Sequence, residues 1–455
     1  MAITTPTRIV ILGGGFAGWY TALELERAFA HDDHLEITLV DQDNFRLFTP
    51  MLAEVVSGSL DAHHILSPLR AFFRKVRFRD SAVDTVDLER RVLMASHCPR
   101  CEPYRLGYDH LVLALGSRTN FFGLPGVAGF AFPMKTLADA LALRNHGIDV
   151  LEHADIEQHL ERRRALCTVV VAGGGFAGVE AIAELNDFAR RAGRFYRHIR
   201  SEELRMVLVH PGERLMPEIN AQLAAYSQQQ LTRRRIKVRL KTKIVRASTD
   251  AVKLSDGTVI PSHTLVWTAG TSVNPFVAAL PCRKDERGRI LVNEFFEVPD
   301  CPGVWAVGDC AHIPDHQTGH PHPPTAQHAV REGRQAGRNI VATIRGGAKR
   351  PFVFATLGQL VPLGRHSAVA DILGWRFHGF FAWWLWRTIY LCKLPGLERK
   401  VRVALDWTLD LVFPRDITLL RVLLKTTVPV KADDHREPLP QAADLAQPER
   451  ALRRP

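Results

Sequence analysis

A short apolar run that breaks into glycines constrains this chain more than any other stretch. Residues 8–12 (RIVIL) read as a buried parallel strand, and Gly13, Gly14, Gly15, Phe16, Ala17 and Gly18 lead from it into a helical pattern predicted over 19–29. The spacing Gly13, Gly15, Gly18 is G-x-G-x-x-G. It supplies a tight turn, a close backbone approach to a pyrophosphate, and tight helix–strand packing. The phosphates would rest on the helix N-terminus, where unpaired N–H groups and the helix dipole favour anions.

The same hexapeptide returns at Gly173, Gly174, Gly175, Phe176, Ala177 and Gly178, after a strand-like run at 168–172 and before a helical pattern at 179–188. Both copies have the strand–turn–helix context that the motif requires. Two dinucleotide sites in one chain imply two redox cofactors that must meet. The usual pair is a resident flavin and an exchanging nicotinamide.

At 455 residues the chain is long enough for about three domains. Its formal charge of +11 favours anionic partners. Nucleic acid is not expected among them, because the basic residues are spread along the chain and no nucleic-acid-binding signature occurs. Seven cysteines without a regular framework point to a reducing compartment. No apolar signal core precedes Arg8, and no run approaches the roughly 20 apolar residues of a membrane span. A cytoplasmic protein is expected.

A second strand at 36–41 ends in Asp41, near the spacing at which a carboxylate accepts hydrogen bonds from a ribose, so Asp41 is the expected adenosine-ribose ligand. Residues 44–52, with Thr49 and Pro50, would run over that cofactor. Short strands follow through 73–92, with Val83 among the cofactor contacts, and a buried strand at 108–117 ends in a small-residue turn at Ala114 and Gly116. Cys98 and Cys101 form a C-x-x-C without a second copy, which reads as a surface loop with incidental thiols.

Residues 135–164 read as a helical connector into the second nucleotide unit. There Glu180 stands on the first helical turn, either as a plain dipole partner or as a contact to the nicotinamide or to a proton path. The strand at 205–209 ends in His210 instead of an acid, and His210 with Arg214 would tolerate a 2′-phosphate, leaving NADH against NADPH open. A hairpin around 255–258 precedes a strand ending at Thr268, Ala269 and Gly270, a turn like the one at Ala114. A later strand delivers Asp309 beside Gly308. A helix from Ala326 and Gln327 to about 345 would aim its N-terminus at a flavin and stabilise charge that builds on reduction. His312, His316, His320, His322 and His328 lack a ligand spacing, so no metal is expected.

Asp41, the exact second fingerprint with Glu180, the turn at 268–270, the Gly308–Asp309 turn and the Ala326–Gln327 helix together resemble the two-dinucleotide-domain flavoprotein superfamily. Within it they resemble the type II NADH dehydrogenases, single-subunit NADH:quinone oxidoreductases that do not pump protons. The resemblance, over about residues 8–420, implies that the first fingerprint binds FAD, Asp309 holds its ribityl chain, and the second fingerprint binds NAD(P)H. It places Ala326 and Gln327 between flavin and quinone and Glu180 near the nicotinamide. Two positions depart from the pattern. Arg331 stands where Ala-Gln-x-Ala-x-Gln ends in Gln, and His210 stands where NADH users carry an acid.

From Trp375 onward lie five of the eight tryptophans, with basic flanks. Amphipathic stretches of this kind suit the interface of an anionic membrane, or else a buried helix pair that forms a dimer or covers a domain. The same region is the membrane anchor in the resembling family. The expected fold is therefore α/β, with two Rossmann-like domains, the second inserted in the first, and an amphipathic helical C-terminal region. The expected boundaries are 1–138 and 293–350 for FAD, 139–292 for NAD(P)H, 351–430 for membrane association and 431–455 for a disordered tail. The expected activity passes hydride from NAD(P)H to FAD and two electrons to a quinone, on the cytoplasmic face of the inner or plasma membrane, with a homodimer left open. Sulfide:quinone oxidoreduction, through flavin-proximal thiols such as Cys310, and a flavin-bearing redox sensor are the competing readings.

Overall fold

A computed structural model describes residues 6–97, 101–315 and 317–420. The chain forms two compact units. The first collects the stretches through Leu47, Leu66–Arg118 and Thr271–Thr356; the second collects Phe48–Ile65, Thr119–Gly270 and the chain from Leu357. The units exchange at 118/119 and 270/271, each about twenty residues before the expected boundary, at 138/139 and 292/293. A short segment around residue 50 joins the second unit.

In the first unit five parallel strands lie in the order Val304–Ala306, His110–Leu113, Thr7–Leu12, Leu35–Asp41 and Arg77–Asp80. The first strand in sequence sits centrally and the chain leaves it to one side before returning on the other. This makes a topological switch point at the carboxyl end of Thr7–Leu12, where such sheets hold ligands. Ile9, Ile11, Leu12, Leu111, Val112 and Leu113 are fully buried, as a sheet covered on both faces requires. Helix Phe16–Phe29 follows the central strand directly. Helix Ala326–Ile344 crosses it closely: a Cβ at Gly333 would lie 2.1 Å from the Ala17 carbonyl oxygen, and Thr21 Oγ1 is 3.0 Å from both the Ala17 and Gly333 oxygens.

The second unit repeats the plan. Its parallel strands run Phe132–Pro133, Thr264–Trp267, Thr168–Ala172, Arg205–Val209 and Ile236–Arg239, with helix Phe176–Ala192 leaving the central strand. The expected helical connector is two helices, Leu137–Ile156 and Leu160–Leu166. The first is fixed by a reciprocal cap in which Thr136 Oγ1 accepts the Asp139 N–H at 3.1 Å and Asp139 Oδ2 accepts the Thr136 N–H at 2.7 Å. Beyond residue 357 a three-stranded antiparallel sheet, Gly358–Pro362, Ala368–Ile372 and Trp375–Gly379, precedes helices Phe380–Lys393 and Leu397–Val412. Trp375 and Phe377 thus stand on a strand, and the helical pattern begins at Phe380.

Candidate functional site

The first glycine cradle is built by steric necessity. Gly13 has φ +103°, and a Cβ there would lie 2.4 Å from the Ala114 oxygen; a Cβ on Gly18 would lie 1.8 Å from the Gly13 oxygen. Around Gly15 the opposite holds, since a Cβ would meet nothing within 4 Å. Two positions are closed by backbone and the one between them opens outward, the shape that lets a diphosphate approach main-chain N–H groups. The helix starts at Phe16, three residues before the expected 19, so its free N–H groups lie in the fingerprint itself.

Asp41 accepts the Gly14 N–H through Oδ2 and the Asp43 N–H through Oδ1 at 2.8 Å. Burial raises its pKa against these hydrogen bonds. A carboxylate has about four lone-pair positions, so capacity remains for ribose hydroxyls, and the cradle fits the adenosine diphosphate end of FAD. Ser117 Oγ donates to Asp309 Oδ2 at 2.7 Å, on the turn Gly308–Cys310. The Gly308 N–H is held at 2.9 Å by Glu332, whose carboxyl burial pushes up to about 8. Ala326 and Gln327 open their helix behind Thr325, which caps the His328 N–H. Gly116 takes φ +62° with open space beside it, and Val83 pairs with Ala95 in an antiparallel strand.

The second cradle reproduces these relations. Gly173 has φ +107° and faces Thr268; a Cβ on Gly178 would lie 1.8 Å from the Gly173 oxygen; Gly175 faces open space. Phe176 and Ala177 begin the helix. At the ribose end the Gly174 N–H donates to His210 Nδ1 at 3.1 Å. That nitrogen therefore carries no proton, and burial holds the imidazole below its ordinary pKa. Gly270 lies under the Phe122 ring, where a Cβ would come within 2.5 Å of Cζ. Thr49 and Pro50 form a short turn in this unit, Thr49–Met51, rather than in the unit carrying the first fingerprint.

The sequence reading missed a buried acid cluster in the second unit. Glu54 Oε1 accepts the Trp407 Nε1–H at 3.1 Å and lies 3.9 Å from Arg387, whose guanidinium stacks over Trp383 and Trp407 at 4.0 and 4.7 Å. Glu184 accepts Ser57 Oγ–H at 2.7 Å and lies 3.3 Å from Arg415, which also reaches Asp410 at 3.1 Å. Burial pushes Glu54 up to about 8 and raises Glu184. Glu180 is raised well above the carboxylate range by burial and by the negative neighbours Glu54 and Glu184. The signal available was the pair at i, i+4 inside the apolar string of residues 179–188.

Cys310 is buried, its Sγ 3.4 Å from the Leu113 oxygen, and burial pushes its thiol up to about 12. Cys101 is disulfide-bonded, which corrects the reading of incidental thiols there, since thiol pairing is not visible in spacing alone; Cys98 lies outside the described residues. Among the described residues no group of three His, Cys, Asp or Glu side chains gathers to hold a metal, and His316 lies outside them. Around helices Phe380–Lys393 and Leu397–Val412 many large apolar side chains stay exposed, among them Phe380, Phe381, Trp384, Leu397, Val401, Leu405 and Val412. No helix among the described residues is long and apolar enough to cross a membrane.

Two parallel-sheet nucleotide units with matching cradles define a class. Residues 7–333 match the family described as pyridine nucleotide-disulphide oxidoreductase, and residues 357–416 match the NDH2 C-terminal domain. The type II NADH:quinone oxidoreductase Ndh of Mycobacterium tuberculosis is 30% identical over 90% of this chain and 89% of its own length. Demethylphylloquinone reductase NdbB of Synechocystis is 32% identical over 88% of this chain and 95% of its own. The structure of NDH2 from Plasmodium falciparum in complex with NADH superposes with a TM-score of 0.84 at 19% identity, covering 90% of this chain and 99% of that one. The chain belongs to the type II NADH:quinone oxidoreductases of the pyridine nucleotide-disulphide oxidoreductase family.

Proposed function

We propose that this chain is an FAD-dependent NAD(P)H:quinone oxidoreductase that does not pump protons. The observation that carries the reading is the duplicated cradle, closed at Gly13 and Gly18 and again at Gly173 and Gly178, open at Gly15 and Gly175. Bound FAD supplies the two-electron carrier between a nicotinamide hydride and a quinone. The chain's own residues bind and orient. Gly15 and the free N–H groups of helix Phe16–Phe29 receive the flavin diphosphate, Asp41 its adenosine ribose, and Asp309, oriented by Ser117, its ribityl hydroxyls. Val83, Ala114 and Gly116 are further contacts of that cofactor. Gly175, Phe176, Ala177, His210 and Gly270 serve the nicotinamide cofactor, with Glu180 beside its reactive ring and Gln327 at the acceptor side.

The exposed aromatic and aliphatic side chains of the two C-terminal helices, with basic residues around them, support peripheral binding to an anionic membrane surface. We assign that surface to the cytoplasmic face of the inner or plasma membrane, where a lipid-soluble quinone is at hand. Stopped-flow absorbance tests the central reading. NADH bleaches bound flavin, a soluble quinone restores it, and steady-state kinetics are ping-pong. Protein purified gently without flavin, or flavin that NADH leaves oxidised, overturns it.

A further inference from the structure

We propose that a cavity beside strand Ile236–Arg239, in the second nucleotide unit but set apart from its glycine cradle, binds a small organic phosphate. The inference goes beyond the functional reading above and does not depend on it. The cavity reaches back to Thr168 and Arg205, the first residues of their strands, whereas the cradle lies past the last, Ala172 and Val209. None of residues 173–178, His210, Arg214 or 268–270 lines it.

Strand Ile236–Arg239 is the edge of the five-stranded sheet. Val207 pairs with Lys237 and Val209 with Arg239, so Lys237 and Arg239 share a sheet face with Arg205 and Val207, while Ile236 turns its buried side chain to the other face. Helix Leu160–Leu166 adds Arg164, and the end of helix Phe176–Ala192 adds Arg190. With Arg235, just ahead of the strand, these make six basic side chains around one cavity of about 370 Å³. That volume lies within the range of small-molecule pockets, about 300–1,000 Å³. The lining between the cations is apolar and includes Ala165, Leu204 and Val207, all buried.

The charges around this cavity do not balance. Arg164 pairs with Glu161 at 2.7 Å, Arg239 with Asp256 at 2.6 Å, and Arg235 stands 4.0 Å from Glu202. Arg190 forms no ion pair among the described residues; its Nε–H donates to Asn186 Oδ1 at 2.9 Å and its Nη1 lies 3.3 Å from both oxygens of Ser201. Arg205 and Lys237 make no side-chain hydrogen bond or ion pair among the described residues. Burial and the like charges of Arg235 and Arg234 hold Arg190 below the usual guanidinium range, with Asp187 and Glu202 acting the other way. Three cations without a counter-charge around one recess suit a phosphate, which accepts from several donors at once. An edge strand often carries lysine simply to discourage strand pairing. Such a guard needs charges standing singly in water, and it gives no reason for Arg164 and Arg190 to join them from two helices around an apolar lining.

Arg205→Gln combined with Lys237→Gln tests the site, because neither side chain holds another group in the fold. The full chain is used with its cofactor bound and with saturating NAD⁺ to fill the cradle. Isothermal titration with inorganic pyrophosphate is expected to show one site in the parent and about hundredfold weaker binding in the double variant, the scale of two lost charge-assisted hydrogen bonds. Phenyl phosphate is expected to bind the parent about tenfold tighter than inorganic phosphate, its ring resting on the apolar lining. Pyrophosphate is also expected to raise the melting temperature of the parent and not of the variant, against sodium chloride of equal ionic strength. Without ligand the two should melt within a degree or two of each other, which separates a lost site from a lost fold. Where the pair gives no folded protein, Lys237→Gln alone decides, with about tenfold weaker pyrophosphate binding expected. Equal pyrophosphate binding in parent and variant overturns the site, as does displacement of pyrophosphate by NAD⁺ or equal affinity for phenyl phosphate and inorganic phosphate. Phosphatidylglycerol vesicles that lose the double variant, while the parent binds no pyrophosphate, overturn it too and give these cations to a lipid surface.

Discussion

His210 Nδ1 accepts the Gly174 N–H at 3.1 Å, in the place where Asp41 accepts the Gly14 N–H of the other cradle. The imidazole does the structural half of the carboxylate's work. It closes the turn, yet it brings no negative charge to repel a 2′-phosphate. His210→Asp should therefore lower kcat/KM for NADPH relative to NADH by about tenfold, the effect of one close like-charge contact. A ratio of the two kcat/KM values that stays put would refute a role for this position in choosing the nicotinamide.

The cradle glycines separate binding from folding. Gly15→Ala meets nothing in the protein, so it should leave the melting temperature of the cofactor-free chain within a degree or two while cutting flavin content. Gly175→Ala should keep flavin and raise the NADH KM about tenfold. Gly18→Ala drives a methyl into the Gly13 carbonyl and should cost several kcal/mol, read as poor expression or an early denaturant midpoint.

Phe381→Glu combined with Trp384→Glu should lower binding to vesicles containing phosphatidylglycerol by about tenfold or more, since burying each such ring is worth about 1.5–3 kcal/mol. Both rings lie about half exposed on helix Phe380–Lys393. Reduction of a soluble quinone should persist. Raised salt should weaken binding of the parent further, and a co-sedimentation assay reads both effects.

Glu332 gives a pH prediction with a definite sign. Its carboxyl moves from 4.5 to about 8 on folding, so between those values the native state keeps a proton that the unfolded chain has released. Stability must fall as pH rises across that window and level off above it, the slope being at most about 1.4 kcal/mol for each pH unit crossed. Glu332→Gln can still accept the Gly308 N–H and should flatten the slope in urea titrations at pH 5, 6, 7 and 8. A slope as steep as the parent's would assign it to other groups.

Cys310→Ser should leave NADH oxidation within about twofold, because a thiol enclosed by the Leu113 and Val307 carbonyls and pushed up to about 12 is no nucleophile. Loss of a sulfide-dependent quinone reduction in that variant would revive the competing reading.

Both cradles could be read from the chain because their requirements are local. A glycine hexapeptide between an apolar run and a helical pattern fixes a turn within a few residues, and Gly13 and Gly173 share their φ to within a few degrees. Asp41 and His210 could be placed for the same reason, one strand away. The acid cluster was hidden because its members come from four separate stretches: Glu54, Glu184, Arg387 and Arg415. Nothing near Glu54 in sequence announces that a tryptophan more than three hundred residues later will hold its carboxyl. The C-terminal sheet was overlooked because its aromatic residues fit either a strand or an amphipathic helix until the turn at 373–374 is known.

Arg415 enters the interior of the second nucleotide unit from the far end of the described chain and neutralises Glu184 and Asp410 there. The segment we propose to meet lipid is thus also a rivet of the cofactor domain. Trimming the protein ahead of this arginine to obtain a water-soluble enzyme would strand the Glu184 carboxylate indoors, at about 3–5 kcal/mol for a broken interior pair. Solubility is better sought by repainting the outer faces of the last two helices than by cutting them off.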